Sequence, residues 1–221
     1  MFSYKMTLNI WSVLAKLEER SKLERSGKVV VSRQEMMLAI TYETGLFFNI
    51  FLKAMKAKRA LEIGTSTGYS SLWLIEALLQ NTVANKQAKL SSSRGLITIE
   101  NDPMKLEKAS SNFSEAGVFD KIDIMGGNAL ECLHRLSATL ENHELFDFVF
   151  IDADKENLKE YFDLVLPIIR VGGVIATDNV LYPTDYRPIM TSFIEYIRAK
   201  PNVQSVTVPI GHGEEITTKC R

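Results

Sequence analysis

A regular alternation of short apolar runs and helical stretches after residue 58 limits the architectures open to this chain. The apolar runs lie at Ala60–Ile63, Leu96–Ile99, Ile122–Met125, Phe146–Ile151 and Val174–Ala176. Helices are predicted between them, at 68–80, 103–116, 129–140 and 157–169. Runs that are apolar on both faces are typical of parallel strands buried between two layers of helices. The alternation therefore predicts an α/β fold with a doubly wound, mostly parallel sheet.

Two further strands are predicted after a last helix at 186–199. They cover Val203–Val208 and Ile216–Lys219, and the short Pro209–Gly213 link joins them. Strands joined by so short a connection pair antiparallel. We therefore expect an antiparallel hairpin at one edge of a seven-stranded sheet.

The residues before the first strand are predicted to form helices. Apolar side chains recur at helical spacing up to Leu17, and Ser26-Gly27 interrupts that pattern. Ser32 and Glu35 have the spacing of a capping box, which predicts that the next helix begins there.

Length and composition fit one globular domain. The chain has 221 residues, of which 46% are hydrophobic and 24% are charged, and this balance argues against a disordered protein. We expect a single domain over 1–221, with a helical segment at 1–58 and the sheet-containing core at 59–221.

The sequence shows no signal for membrane insertion or export. No apolar run approaches the roughly 20 residues of a membrane span, and the first residues lack the apolar region and cleavage site of a signal peptide. Cys132 and Cys220 are far apart and form no metal-ligand pattern, which favours free thiols over a structural disulfide. We therefore expect a cytoplasmic protein that does not contact membranes.

The charge is unevenly distributed along the chain. Residues 1–60 carry 11 lysines and arginines against five acidic residues, whereas the whole chain has a formal net charge of −1. This excess is typical of solvated helix faces, and the alternative is a basic rim that attracts an anionic substrate.

The first strand leads into a turn with two glycines four residues apart. Its sequence is Glu62-Ile63-Gly64-Thr65-Ser66-Thr67-Gly68-Tyr69-Ser70. Glycines allow a tight turn and a close approach of ligand to backbone, and the next helix offers free N–H groups. Ser66 replaces the second glycine of the G-x-G-x-x-G pattern, which disfavours an NAD-dependent enzyme. The alternative is a merely tight strand–helix turn.

The next two strands also end in polar residues. Glu100 ends the second strand, where an acid can accept hydrogen bonds from both hydroxyls of a ribose. Asn128 follows the third strand and is positioned either to meet an adenine or to cap the following helix. Together with the glycine turn, these residues predict a nucleoside-type ligand.

The fourth and fifth strands supply the most informative set of residues. Asp152 and Asp154 follow the fourth strand, and Asp178-Asn179 follows the fifth. Carboxylate and amide oxygens that converge at one sheet edge suit a hard cation such as Mg²⁺. Lys155 beside that cation would be a candidate general base. The alternative is a set of helix caps and surface acids.

Taken together, these stretches resemble the cation-dependent class I O-methyltransferases, the caffeoyl-CoA and catechol O-methyltransferase family. The resemblance covers about 30–221. The matching stretches are LEIGTSTGYSSLWL, ITIENDP, AGVFDKI, FDFVFIDADKENLKEYFDLVLPIIRVGGVIATDNVLY and VPIGHGEEI. Their order and joint presence make the match specific.

The resemblance implies a Rossmann-like fold, an S-adenosylmethionine (SAM) cofactor, a divalent metal, expected to be Mg²⁺, and a homodimer. It places Gly64, Tyr69 and Ser70 at the methionine end of SAM, with Glu62, Thr65 and Gly68 in the same turn. It places Glu100 on the ribose, Asn128-Ala129 near the adenine, and Asp154 on the cofactor side. Asp152, Asp178 and Asn179 match metal ligands, and Lys155 matches the proposed base.

The implied reaction is methyl transfer to one of two vicinal hydroxyls of a small aromatic acceptor, with Tyr182 and His212 as candidate substrate contacts. One alternative keeps the chemistry and acts on a hydroxyuridine in tRNA, which the basic N-terminal segment favours. Another is a nucleoside-binding module without catalysis, which the intact set of metal-ligand residues disfavours.

Three departures from the family pattern concern the acceptor. The segment that starts at Leu181 passes quickly into a helix, which predicts a shortened substrate loop. His212 replaces the usual acid of a Gly-Asp-Gly turn, and the polar stretch 81–94 predicts an unusually long surface loop.

Overall fold

A computed structural model describes residues 2–84, 95–140 and 145–221, with side chains described from residue 9 and not at residue 84. Helices and strands alternate through most of the described chain. The helices are α1 Phe2–Arg25, α2 Tyr42–Ala54, α3 Tyr69–Ala84, α4 Pro103–Glu115, α5 Ala129–Thr139, α6 Leu158–Ile168 and α7 Arg187–Arg198. The strands are β1 Ala60–Ile63, β2 Leu96–Glu100, β3 Ile122–Gly126, β4 Phe146–Ile151, β5 Ile169–Thr177, β6 Val203–Val208 and β7 Glu214–Lys219.

The seven strands form one sheet in the order β3-β2-β1-β4-β5-β7-β6. The first five are parallel, and β7 pairs antiparallel with both β5 and β6. The predicted doubly wound, mostly parallel sheet with an antiparallel edge hairpin is thereby confirmed. Since the strand order reverses between β1 and β4, a ligand is expected at the carboxyl ends of β1, β2 and β4.

Each face of the sheet is covered by its own apolar core. On one face Phe48, Trp73 and Phe113 bring α2, α3 and α4 against the strands, and α1 adds Ile10 and Leu14. On the other face, α5, α6 and α7 pack through side chains that include Leu133, Phe162 and Phe193. The N-terminal helices therefore share a core with the sheet.

The prediction that the second helix begins near Ser32 is wrong. Ser32 and Glu35 do form the expected side-chain contacts, with the Ser32 N–H 3.2 Å and its hydroxyl 2.7 Å from Glu35 Oε2. No helix follows them, and α2 begins at Tyr42 after Thr41, whose hydroxyl accepts from the Thr44 N–H. The contacts close a local turn, because such short-range hydrogen bonds form in turns as well as at helix starts.

The prediction that a loop begins at residue 81 is also wrong. Helix α3 continues to Ala84, and the Asn81 side chain donates to the carbonyls of Leu52 and Ala57. Residues 85–94 lie outside the described residues.

Cys132 is buried and Cys220 exposed, and both are free thiols. Within the described ranges, no helix combines the length and the apolar character that a membrane crossing requires.

Candidate active site

A cavity of about 950 Å³ opens at the carboxyl ends of the parallel strands. The end of α1 and the segment 36–40 form its opposite wall. Most of the residues predicted from the sequence line it: Gly64, Thr65, Tyr69, Ser70, Glu100, Asn128, Ala129, Asp152, Asp154, Lys155, Asp178, Asn179, Tyr182 and His212. This volume lies near the upper end of the range for small-molecule sites.

The glycine turn after β1 brings bare backbone to the wall of the cavity. Gly64 has a φ of +105°, and a Cβ there would overlap the carbonyl oxygen of Asp152. Ser66, which replaces a glycine of the dinucleotide-binding pattern, has a φ of +48°. Its left-handed backbone is held by its N–H, 2.7 Å from Glu100 Oε2, and by its hydroxyl, which donates to the Met37 carbonyl. Hydrogen bonds thus compensate a conformation that serine rarely adopts.

Two predicted cofactor residues, Glu62 and Gly68, do not line the cavity. Glu62 is fully buried behind the turn, where the hydroxyls of Ser71 and Thr98 donate to its Oε2. Burial raises the pKa of Glu62 to about 7. Gly68 has a φ of +84°, and a Cβ there would overlap the Phe113 ring. Both residues support the turn from behind.

Glu100 accepts three backbone hydrogen bonds at the end of β2. Its Oε2 accepts from the Ser66 N–H at 2.7 Å, and its Oε1 accepts from Asn101 and Asp102, both at 2.9 Å. A carboxylate has about four lone-pair positions, so acceptor capacity remains toward the cavity. The residue predicted to bind a ribose therefore also ties the glycine turn to β2.

Thr67 is a cavity residue that the sequence reasoning missed. It is 4% exposed, and its hydroxyl has no hydrogen-bond partner among the described residues. Buried hydroxyls are normally satisfied, but this oxygen is closed off from the cavity as well as from solvent. The available signal was a hydroxyl between the two glycines of the turn.

At the far end of the cavity, Asn128 caps α5. Its Oδ1 accepts from the N–H groups of Leu130 and Glu131, at 3.0 and 3.3 Å. Of the two interpretations left open by the sequence, the structure confirms the cap. The side chain also lines the cavity beside Ala129.

Tyr69 connects the glycine turn to the N-terminal helix. It is 2% exposed, and its hydroxyl donates to Glu18 Oε2 of α1 at 2.7 Å. Ser21 and Arg25 of the same helix line the cavity. Helix α1 therefore completes the wall that faces the strands.

Asp152 and Asp178 lie side by side, as the sequence predicted. Ile151 and Thr177 are paired in register, so the two aspartates occupy the next position on adjacent strands. Burial, and secondarily the charge of Asp178, raises the pKa of Asp152 to about 6. Burial also raises the pKa of Asp178, which is 2% exposed. Two adjacent buried carboxylates are unfavourable without a compensating positive charge.

Asn179 and Lys155 complete this polar end of the cavity. Asn179 has a φ of 68°, a left-handed conformation that asparagine tolerates better than most residues. Its N–H lies 2.6 Å from Asp178 Oδ1. The Lys155 side chain is 6% exposed, and its Nζ lies 3.5 Å from Asp152 Oδ1.

A third carboxylate, Glu214, was not predicted. It is fully buried on β7 beside the Asp178 carboxylate, and no other hydrogen-bond partner of its oxygens is found among the described residues. Burial and the charge of Asp178 raise its pKa well above the ordinary value. The described residues hold no preassembled group of three His, Cys, Asp or Glu ligands, so Glu214 faces Asp178 without completing a ligand set. Two carboxylates with an amide oxygen fit a hard divalent cation.

Two rings stand beside Asn179 at the opening of the cavity. The Tyr182 and His212 rings are 5.4 Å apart with a 36° tilt, and His212 Nδ1 is 3.5 Å from Asn179 Nδ2. The N–H groups of Leu181 and Tyr182 both donate to the His212 carbonyl at 3.0 Å. Burial lowers the pKa of His212, which favours a neutral ring.

Residues 14–220 match the protein family described as O-methyltransferase. The chain belongs to this family. Caffeoyl-CoA O-methyltransferase from Mesembryanthemum crystallinum is 32% identical to this O-methyltransferase over 200 residues, which are 84% of this chain and 73% of that one.

Two solved structures connect the fold to its cofactor. The O-methyltransferase from Bacillus cereus, in complex with SAH, is 28% identical, with a TM-score of 0.70 and coverage of 94% of this chain and 90% of that one. TomG from Streptomyces achromogenes, involved in tomaymycin synthesis and in complex with SAM, is 27% identical, with a TM-score of 0.73 and coverage of 95% and 90%. The chain is a SAM-dependent O-methyltransferase.

The cavity fits this cofactor. The Gly64 backbone allows close approach, and Glu100 retains acceptor capacity toward the predicted ribose position. The roles of the individual site residues stay predictions.

Proposed function

We propose that this enzyme is a divalent-metal-dependent O-methyltransferase that methylates one of two vicinal hydroxyls on a small aromatic acceptor. The observation that carries the proposal is the buried pair Asp152 and Asp178, with Asn179 and Lys155 beside it.

The donor set supports a hard cation. Asp152, Asp178 and Asn179 would hold Mg²⁺ through oxygen. A bound cation would lower the energy of an acceptor oxyanion. The protein's own contribution is to hold the two carboxylates in place, by strand pairing and by the Asn179 N–H.

Lys155 is the proposed base. Its side chain is almost fully buried at the same end of the cavity, so water does not surround its amine and its position is restricted. A lysine held in this way would take the proton of the acceptor hydroxyl. Positioning of the acceptor against the methyl donor supplies much of the expected acceleration.

The acceptor site favours a small aromatic ring. Tyr182 and His212 present adjacent rings at the cavity opening, and Tyr186 also lines it. Aromatic faces stabilise a stacked ring, while chelation of a cation selects two neighbouring oxygens. One relative is named for caffeoyl-CoA, whose caffeoyl ring carries such a pair of hydroxyls.

The tRNA alternative gains little support from the charges of α1. Lys16 pairs with Glu115, Arg20 with Glu24, and Lys22 with Glu18. These acids partly neutralise the basic helix, and phosphate contacts need unneutralised positive charge.

The decisive experiment separates the metal from the cofactor. After EDTA treatment we expect no methyl transfer to a catechol, with recovery on addition of Mg²⁺. Asp178→Asn should abolish turnover while calorimetry still shows SAH binding, and Asp163→Asn, in a surface carboxylate on α6, should behave as wild type. Full turnover in metal-free buffer would refute the metal proposal.

A second assay tests the acceptor. Turnover is measured on catechol, phenol and bulk tRNA, each at low and moderate salt. We expect methylation of catechol that is insensitive to salt, little methylation of phenol, and no label in tRNA. Label in tRNA that disappears as salt rises, with negligible catechol turnover, would establish the alternative.

A further inference from the structure

Asp154 is held by three donors although it lies at the cavity wall. Its Oδ1 accepts from the N–H of Asn157 at 3.1 Å and from the side-chain Nδ2 of the same residue at 2.7 Å. Its Oδ2 accepts from the hydroxyl of Tyr161. A solvated surface acid is free to rotate, whereas these contacts fix both oxygens of Asp154.

Tyr161 is built into this arrangement. It lies in the first turn of α6, is 2% exposed and reaches the cavity wall. Burial and the neighbouring Asp154 raise the pKa of Tyr161, so its hydroxyl keeps the proton that it donates. The donor is therefore neutral and permanently available.

The charge of Asp154 is left for a ligand. Within the described ranges, no lysine, arginine or histidine side chain lies within ion-pair distance of this carboxylate. Its three donors are all neutral, so they orient the negative charge without cancelling it. A carboxylate fixed at a cavity wall in this way is complementary to a positively charged group.

We propose that Tyr161 is a positioning residue for cofactor binding, whose hydroxyl fixes the Asp154 carboxylate against the α-ammonium group of SAM. SAM carries two positive groups, the ammonium and the sulfonium. Only the ammonium has N–H donors, and fixed oxygens matter most for a directional, charge-assisted hydrogen bond. SAH keeps the ammonium and lacks the sulfonium charge. Comparing SAM with SAH therefore shows whether Asp154 recognises the ammonium or the sulfonium.

Calorimetric titration of Tyr161→Phe with SAM and with SAH tests the proposal. We expect both affinities to fall by roughly five- to twentyfold, the effect of losing one hydrogen bond to a charged group. The KM for SAM should rise, with kcat at saturating SAM little changed. Tyr196→Phe is the matched control, because its hydroxyl donates to the surface carboxylate Asp163, and it should bind both molecules as wild type does.

A double-mutant cycle shows whether Tyr161 acts through Asp154. The Asp154→Asn and Tyr161→Phe double variant should bind SAH no more weakly than Asp154→Asn alone. Asn157→Ala, which removes another donor to Asp154, provides a second single variant if Tyr161→Phe folds poorly. Any of three results would overturn the proposal. These are wild-type affinity in either folded single variant, additive losses of affinity in the cycle, and a loss of affinity for SAM but not for SAH.

Discussion

Replacing Glu100 by alanine removes a carboxylate that holds the glycine turn and is predicted to bind the ribose of the cofactor. The Ser66 N–H loses an acceptor at 2.7 Å, and Asn101 and Asp102 lose one at 2.9 Å. A hydrogen bond to a charged group contributes about 1.5–3 kcal/mol. Water replaces the carboxylate at the exposed Asn101, so we expect a total loss of about 2–4 kcal/mol in unfolding free energy. Most of this loss of stability arises at Ser66, whose left-handed backbone is no longer held by the carboxylate.

Cofactor affinity should fall for a separate reason. Loss of the ribose acceptor and loosening of the turn should weaken SAH binding by about 1–3 kcal/mol, or roughly 5- to 150-fold. Glu100→Gln keeps one carbonyl oxygen as an acceptor and should be intermediate.

Calorimetry with SAH measures the affinity, and denaturant unfolding measures the stability. Glu115→Ala is the control, since that carboxylate is 47% exposed and pairs on the surface with Lys16. An SAH affinity for Glu100→Ala within twofold of wild type would show that the residue neither binds ribose nor organises the turn.

Three other perturbations test the site. Gly64→Ala should cost more than 3 kcal/mol of stability, because its Cβ would overlap backbone, whereas Gly27→Ala meets nothing within 4 Å and should cost about 1 kcal/mol; equal costs by denaturant unfolding contradict this. Burial raises the pKa of Glu62 from 4.5 to about 7, so wild type should lose on the order of 3 kcal/mol relative to Glu62→Gln as pH rises through that window. Thermal unfolding at pH 5 and pH 8 checks this, and a constant difference between the variants argues against it. Because the pKa of Asp152 is about 6, Mg²⁺ affinity should decrease as pH falls through 6; calorimetry showing a flat profile would rule out proton competition at Asp152.

The strands were the most predictable part of the fold. Parallel strands such as Phe146–Ile151 are buried on both faces, so an uninterrupted apolar run marks them in the sequence. The start of α2 was predicted wrongly, because the Ser32–Glu35 contact occurs without a helix. Local hydrogen-bonding patterns do not show whether the residues that follow have a core to pack against.

Site residues were predictable where their place in the sequence, directly after a parallel strand, decides where they lie in the fold. Asp152 and Asp178 follow strands, and the ends of adjacent parallel strands meet. The direction of a side chain was harder to infer: Glu62 points behind the turn rather than into the cavity. The importance of Glu214 follows from its contact with Asp178 across the sheet, and that of Tyr161 from its contact with Asp154. No local pattern in the sequence reveals either contact.

The place of β7 in the sheet has a consequence for folding. It is the last strand along the chain, yet it lies inside the sheet between β5 and β6. Until it inserts, β5 presents an open edge of unpaired N–H and C=O groups, the type of edge on which chains aggregate. The same insertion delivers His212 and Glu214 to the end of β5, where Asp178 lies. Completion of the sheet and assembly of the polar end of the cavity are therefore one event, delayed by the long sequence separation of the strands involved.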